Sequence, residues 1–231
     1  MIKSGIDQQA LIDMFASASA KQAEQLRQSV YQTTVGALQG RELSLKNIRS
    51  VLAAVTQAAS AGAAKNPLAG TDTEALLDTA VAGMDDALLK AVEANRVALQ
   101  QLIDRGVDVR EGQMKKALGD LEKFEDTLFG AIKKAAGSAG DPMAAPWGEV
   151  LGKLNLGGTQ TGATAHSAAE QLSGQLEQVQ AAVRETRAAG LKAAQALADS
   201  YAALVSGVLM GMSDALTQGK APAAAAKRGR K

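Results

Sequence analysis

Apolar side chains recur every three or four residues along most of the chain, which is the spacing of an amphipathic α-helix. Stop signals such as Asn66-Pro67 interrupt this pattern, because a residue that precedes proline is held out of the helical conformation. The pattern predicts five helices, over residues 7–39, 41–64, 71–105, 108–136 and 163–217. We therefore predict an all-α fold in which elongated amphipathic helices form a bundle or a set of helical hairpins.

The last predicted helix is the longest. Its apolar stripe runs from Ala165 to Met212 in 13 steps of about 3.6 residues, which fits a straight helix better than the 3.5-residue repeat of a left-handed coiled coil. At about 1.5 Å per residue, such a helix extends roughly 80 Å. We expect this very long C-terminal helix to pair with other helices, bend or lie along a surface.

The helices and their breaks divide the chain into four regions. They are a helical region of about four helices, a linker rich in Gly and Pro, a long amphipathic helix and a basic disordered tail, at residues 1–136, 137–162, 163–218 and 219–231. The linker has room for one short helix that begins at Pro146 and carries Trp147 on its apolar face. A connection of this length is either functional or simply a linker, and low-complexity composition favours the simple linker.

Composition supports helices and argues against catalysis. The 231 residues include 48 alanines and only six aromatic residues, so we expect a thin core, because alanine buries little area. A β-sandwich or a Rossmann sheet would need more β-branched and aromatic residues. The absence of cysteine excludes disulfides, a thiol nucleophile and cysteine-based metal sites, and it is compatible with the reducing cytosol.

Two stretches bear on location in the cell. Asp7 and Asp13 interrupt the apolar run that an N-terminal secretory signal would need. The longest charge-free apolar stretch, residues 200–213, has 14 residues, whereas a membrane-spanning helix needs about 20. We therefore predict a cytoplasmic protein without a transmembrane span, either soluble or bound to a surface.

Candidate catalytic groups are weak. His166 is the only histidine, and without a placed carboxylate it is better explained as a solvated residue at a helix start than as a metal ligand. Residues 152–159 resemble a phosphate-binding loop but lack its Gly-Lys-Ser/Thr ending. Paired carboxylates such as Asp85-Asp86 fit the wet face of an amphipathic helix. We predict no catalytic residue, no cofactor site and no metal site.

The segment from Tyr201 to Leu216 combines small residues at every fourth position with a charge-free apolar side. Small residues let another backbone approach closely, which favours tight helix packing in an oligomer or bundle. The apolar side favours adsorption to an apolar surface instead. The residues predicted to carry surface binding or self-association are Tyr201, Leu204, Gly207, Val208, Gly211 and Met212.

Charge is divided between the tail and the rest of the chain. The tail has five basic residues and no acid, whereas the remainder has 20 basic and 24 acidic residues, a net charge of −4. One hypothesis is a solubilising tail; the other is an arm that binds DNA or another polyanion weakly and with steep salt dependence. The basic residues are Lys220, Lys227, Arg228, Arg230 and Lys231.

Alanine-rich amphipathic helices and the terminal sequence APAAAAKRGRK resemble phasins, the bacterial proteins that coat intracellular polyhydroxyalkanoate granules. The best local likeness is AAVRETRAAGLKAAQALADSYAALVSG, at residues 181–207. The chain is also similar in character to uncharacterised helical proteins of proteobacteria. The phasin resemblance implies a non-enzymatic, homo-oligomeric coat protein whose amphipathic helices bind a hydrophobic granule surface in the cytoplasm.

A structural scaffold or adaptor is the alternative hypothesis. Such a protein would be a permanent helical bundle that oligomerises and docks an anionic partner, DNA or protein, by its basic tail. A permanent bundle unfolds cooperatively. A surface coat, by contrast, is loosely packed and gains helix or stability on contact with an apolar phase.

Overall fold

The structure is a computed structural model that describes residues 6–39, 44–67, 72–104, 111–138, 140–185, 205 and 207–208. These residues form helices and connecting turns without any strand, which confirms the all-α prediction. The helices are α1 (Gln8–Ser17), α2 (Ala23–Gln39), α3 (Leu45–Ala64), α4 (Thr73–Asp104), α5 (Glu111–Ser138), α6 (Asp141–Gly157) and α7 (Gln160–Glu185).

The first predicted helix, residues 7–39, is divided into α1 and α2 by a bend and a short 3-10 turn over Ala20–Gln22. Ser19 has an extended backbone, with φ −113° and ψ 163°, and its N–H donates to Gln22 Oε1 at 3.1 Å. A Ser-x-x-Gln pair of this kind satisfies amides at the start of a new helix. The break therefore has a local cause that the apolar period does not contain.

Asn66, which follows the end of α3, binds the C-terminal end of α1. Its Nδ2 donates to the carbonyl oxygens of Phe15 at 3.0 Å and of Ala18 at 2.8 Å. The last carbonyls of a helix have no partner within that helix. Asn66, predicted only to help end its own helix, thus also stabilises the end of α1.

One large apolar cluster, which we call the main core, draws side chains from all seven helices. Pairs of helices pack around it, α1 on α3, α2 on α4, and α7 on both α4 and α5. Many of its members are alanines, as the composition predicts. The largest fully buried side chains of the main core include Phe15, Leu52, Leu77, Leu88 and Trp147.

Glycines allow two of these helix pairs to approach closely. Gly62 of α3 lies against Phe15 of α1. At Gly83 of α4, an added Cβ would fall 2.7 Å from the carbonyl oxygen of Arg27 and 2.9 Å from Cβ of Val30, both in α2. Either helix pair would have to move apart to admit a larger residue.

Residues 137–162, predicted as a linker with room for a short helix, contain instead the 17-residue helix α6. Pro142 is tolerated because it lies in the first turn of α6. Backbone N–H groups there have no acceptor within the helix, so the N–H that proline lacks costs no helical hydrogen bond. Trp147 is fully buried, and its indole N–H donates to Ser60 Oγ of α3 at 2.9 Å. Burial of this large side chain outweighs the poor helix propensity of the Gly- and Pro-rich sequence.

The predicted C-terminal helix is described only in part. Its first portion is α7, which begins at Gln160, three residues before the predicted start, and is described as far as Glu185. Val205, Gly207 and Val208 are helical as well. The other residues of the predicted 163–218 helix, and the basic tail at 219–231, lie outside the described residues.

Candidate functional site

Two of the six residues predicted for surface binding are described, and they differ in exposure. Gly207 is exposed and Val208 is partly buried. Val205, which the sequence analysis did not single out, is 1% exposed. The remaining predicted residues, Tyr201, Leu204, Gly211 and Met212, lie outside the described residues, as do the tail residues Lys220, Lys227, Arg228, Arg230 and Lys231.

Val205 and Val208 rest on α4 in a small cluster with Ala94 and Ala98, which we call the C-terminal contact. It is separate from the main core. The spacing of three or four residues on both partners is the pattern of two helix faces in contact. The alanines of α4 carry no sequence signal that separates them from the other alanines of the chain, so the partner surface was missed.

A second small cluster joins the end of α4, the start of α5 and the middle of α7. We call it the distal cluster; α7 contributes two of its seven buried side chains, while α4 and α5 contribute the others. Its members are Leu99, Leu102, Ile103, Met114, Leu118, Leu172 and Leu176. It too is separate from the main core.

A cleft of about 500 Å³ runs between α5 and α7 beside the distal cluster. Its apolar and small lining residues include Leu118, Gly119, Ala169 and Gly174. Charged side chains line it as well, at Lys115, Glu122, Glu170 and Glu177. With more acids than bases, the cleft does not suit an anionic ligand.

Two carboxylates hold the N-terminus of α7. Asp85 of α4 accepts the backbone N–H groups of Gln160 at 3.0 Å and Thr161 at 3.1 Å. Glu125 of α5 accepts both the N–H and the hydroxyl of Thr159 at 2.9 Å. The first amides of a helix lack helical acceptors and carry partial positive charge, so carboxylates stabilise them.

These contacts change the interpretation of two sequence features. Asp85, predicted as part of a wet helix face, connects α7 to α4, and Glu125 connects α7 to α5. Residues 152–159, which resemble a phosphate loop, form the end of α6 and the turn into α7, where Gly158 has φ +67°. The helix N-terminus that follows already binds two carboxylates of the protein itself.

Two further ion pairs connect helices through α4. Arg27 of α2 donates to both carboxylate oxygens of Asp86, at 2.7 Å and 2.9 Å; this hydrogen bond and the attraction of Asp86 raise the pKa of Arg27. Lys153 of α6 contacts Asp78, at 2.7 Å, and Glu74. Hydrogen bonds to these two acids raise the pKa of Lys153. Three acidic residues of α4, Glu74, Asp78 and Asp86, thus pair with basic residues of partner helices.

The described residues offer no arrangement for metal chemistry. His166 is exposed and lies 3.5 Å from Glu170, one turn further along α7, which agrees with the predicted solvated position. No group of three or more His, Asp or Glu that could hold a metal ion occurs among the residues that the structure describes. In the same part of the chain, no helix is both long and apolar enough to cross a membrane.

Comparison with known proteins gives a family but no activity. Residues 1–218 match the model of a family described as a family of unknown function (DUF6781). The matched residues end immediately before the basic tail. No curated protein and no solved structure matches the chain.

Proposed function

Since the chain belongs to the DUF6781 family of unknown function, we propose from its own surfaces that it is a non-enzymatic coat protein. It binds a hydrophobic polymer surface, of the kind that a polyhydroxyalkanoate storage granule presents, through the segment from Tyr201 to Leu216, which we call the C-terminal segment. The resemblance to phasins suggests the surface. The observation that carries the proposal is that Val205 and Val208, the described apolar residues of this segment, rest on α4 outside the main core.

The described side chains of the C-terminal contact bury little apolar area. The contact buries two valines and two alanines, and one of the valines, Val208, is only partly buried. At about 0.8 kcal/mol per buried methylene, releasing these side chains costs about 3–5 kcal/mol. An apolar polymer that takes up the same valines returns a similar free energy. For these two valines, transfer from α4 to a polymer surface therefore has little net cost.

The rest of the molecule suits a coat that stays folded while it binds. Trp147 and the other large side chains of the main core lie in a separate cluster, so release of the C-terminal segment leaves them covered. The part of the chain before the tail has a net charge of −4. A layer of such bodies on a granule would repel neighbouring granules.

Co-sedimentation with polyhydroxybutyrate particles tests this proposal. We expect wild type to sediment with the particles, and the variant Val205→Glu/Val208→Glu to remain in the supernatant, because a charge on the contact face opposes burial. Gly207→Glu is the comparison variant, since it places a single negative charge on the exposed residue next to Val208, on the small-residue face. Circular dichroism and Trp147 emission verify that each variant is folded.

The comparison variant also separates the two hypotheses for this segment. Binding lost with Val205→Glu/Val208→Glu and kept with Gly207→Glu supports adsorption through the valine face. Loss of self-association with Gly207→Glu, measured by sedimentation velocity, supports packing through the small-residue face. Wild-type protein that is folded and does not bind particles rejects the coat function.

A scaffold or adaptor is the second candidate, and the polar contacts between its helices favour it. Inter-helix polar contacts such as Arg27–Asp86 and Trp147–Ser60 are suited to a fixed arrangement of helices rather than to exchange. In this hypothesis the basic tail docks DNA or an acidic protein. A protein that binds a polyanion and has no affinity for apolar particles would support the scaffold over the coat.

A further inference from the structure

We propose that the cleft between α5 and α7 is a docking site for the basic tail of the same chain, residues 219–231. The tail lies outside the described residues; its charge and its distance along the chain from Val208 are given by the sequence. Docking of the tail is independent of the proposed coat function, because it involves neither the C-terminal contact nor a polymer surface.

Acidic side chains from both helices line the cleft. Glu122 of α5 and Glu170 and Glu177 of α7 are exposed, against one basic lining residue, Lys115. Glu170 and Glu177 are seven residues apart, which is about two turns, so they lie on one side of α7 about 10 Å apart. A cleft with this lining attracts a ligand that carries more than one positive charge.

The cleft also has space and apolar surface for the side chains of a docked peptide. Its volume is about 500 Å³, within the range of about 300–1,000 Å³ that is typical of ligand pockets. A Cβ added at Gly119 or Gly174 would meet no atom within 4 Å, so the space beside both glycines is open. Leu118 and Ala169 line the cleft as well, and the methylene stems of lysine and arginine pack on apolar surface of this kind.

The basic tail is the segment of this chain with complementary charge. It has no acid, and four of its five basic residues fall within residues 227–231. In an extended chain, Arg228 and Lys231 would be about 10 Å apart, at about 3.3 Å per residue. That distance matches the spacing of Glu170 and Glu177 along α7. Charge and spacing together favour the tail as the occupant of the cleft.

The chain between Val208 and the tail is long enough to reach the cleft. Val208 belongs to the C-terminal contact with Ala98, and Leu102, one turn further along α4, belongs to the distal cluster with Leu118, which also lines the cleft. Lys220 follows Val208 by twelve residues, which span about 18 Å as a helix and up to about 40 Å when extended. Either length is enough to cross one packed helix, which is about 10 Å in diameter.

Docking of this kind is reversible. Ion pairs between exposed side chains contribute little individually, and salt screens them. A polyanion that binds the tail must therefore compete with the cleft for it.

Cleavage by trypsin measures docking in the full chain. Trypsin cuts after lysine and arginine, and cleavage follows the population in which the tail is released. We expect Glu170→Gln/Glu177→Gln to lose its tail roughly two- to tenfold faster than wild type, because the exposed pairs that hold it are weak. Circular dichroism verifies that the variant is folded. Equal cleavage rates for this variant and wild type would overturn the proposal.

Glu24→Gln/Glu149→Gln is the matched control for the trypsin experiment. It removes the same charge from two exposed residues outside the cleft, so its tail should be cut at the rate of wild type. An equal acceleration in the control would assign the effect to net charge and overturn docking in the cleft.

Zero-length crosslinking identifies the partner of the tail. A carbodiimide joins a lysine amine to a carboxylate that it contacts. We expect products between Lys227 or Lys231 and Glu170 or Glu177, within one chain and lost at about 1 M salt. Products only with acids outside the cleft would overturn the site. In a mixture of isotope-labelled and unlabelled protein, products only between two chains would overturn docking within the chain. None of these outcomes bears on the proposed coat function, because particle binding is not measured.

Discussion

At Gly83, one absent methyl group determines how closely α2 and α4 approach. A Cβ there would lie 2.7 Å from the carbonyl oxygen of Arg27, and a backbone atom cannot rotate away as a flexible side chain can. We expect Gly83→Ala to lower the free energy of unfolding by about 1–3 kcal/mol through overpacking. Urea denaturation followed by circular dichroism measures the change.

Gly36→Ala is the matched control for Gly83→Ala. Gly36 lies in the interior of α2, and an added Cβ would meet no atom within 4 Å. Alanine has the higher helix propensity, so this variant should be unchanged or more stable by up to about 1 kcal/mol. If both variants lose stability equally, close packing at Gly83 is not the reason.

Ser60 is the hydrogen-bond partner of Trp147, the only tryptophan in the sequence. Its Oγ accepts the indole N–H of Trp147 at 2.9 Å and donates to the carbonyl oxygen of Thr56 at 2.8 Å. We expect Ser60→Ala to cost about 1–3 kcal/mol in the free energy of unfolding, because a buried indole N–H is left without a partner. Trp147 emission during urea denaturation reports the transition.

Ser29→Ala separates the two bonds of Ser60. The Ser29 hydroxyl, on the exposed side of α2, makes the same kind of bond to a carbonyl four residues earlier, at 2.9 Å. This variant should stay within about 0.5 kcal/mol of wild type. A loss at Ser29 as large as that at Ser60 would assign the effect to the local helix bond rather than to Trp147.

Tyr31 gives the protein a pH dependence at alkaline pH. Burial and the nearby Asp86 carboxylate raise the pKa of Tyr31 above its ordinary value of 10.0. The folded state therefore holds the phenol proton more tightly than the unfolded state. The stabilisation of the fold by the protonated Tyr31 phenol is complete below the pKa that Tyr31 has in the unfolded state. It is lost as the pH rises through the higher pKa that Tyr31 has in the folded state.

Urea midpoints between pH 8 and pH 11 check the contribution of Tyr31. We expect wild type to lose stability more steeply than Tyr31→Phe over the upper part of this range, because phenylalanine has no proton to lose. Parallel pH profiles for the two proteins would contradict a raised pKa at Tyr31.

At the scale of the helices, the attachment of α7 depends on Glu125. Its carboxylate accepts two bonds from Thr159 and lies against Gly162. We expect Glu125→Ala to lower the free energy of unfolding by about 1–2 kcal/mol, as loss of a helix cap does. Asp126→Ala, the next residue on α5 and an exposed one, should change it by less than about 0.5 kcal/mol.

Apolar period and stop signals were sufficient for the interior helices. The second, third and fourth predicted helices, at residues 41–64, 71–105 and 108–136, have ends within four residues of those of α3, α4 and α5. The apolar period and the stop signals were insufficient where polar or aromatic contacts determine whether a helix forms or ends. The break before α2 depends on Ser19 and Gln22, and α6 forms because Trp147 finds a buried place and a partner on α3.

The candidate site was predictable only on one side. A charge-free stretch with apolar residues at helical spacing identified the segment that contains Val208. The partner surface, Ala94 and Ala98, consists of the most frequent residue of the chain, so pattern alone cannot select it. The distal cluster was missed for a related reason, since its leucines have the same spacing as leucines of the main core.

At the scale of the whole molecule, the apolar side chains of the described residues form three separate clusters. The main core joins all seven helices, whereas the distal cluster joins α4, α5 and α7, and the C-terminal contact joins α4 to Val205 and Val208. Local openings are cheapest where few buried contacts are broken. Release of the C-terminal contact would therefore leave the main core closed, because the two clusters share no residue.

Charge is unevenly distributed along the whole chain, and this gives the last prediction. The tail's five basic residues are the only concentrated positive charge in the chain, so any binding to DNA should depend on them. We expect weak binding, with a slope of log affinity against log salt no steeper than about −4.5, because at most five phosphates are neutralised. A chain ending at Gln218 should not bind. Fluorescence anisotropy with double-stranded DNA measures both proteins.

The same two proteins distinguish the coat from the scaffold. If polyhydroxybutyrate binding persists in the chain that ends at Gln218 while DNA binding disappears, the apolar segment and the tail act independently. Such a coat could tether a granule to DNA through the tail. If the full chain binds DNA but not the particles, the tail is the functional element and the bundle is its scaffold. DNA binding that survives truncation would instead place the polyanion site on the body, whose net charge of −4 makes that result unexpected.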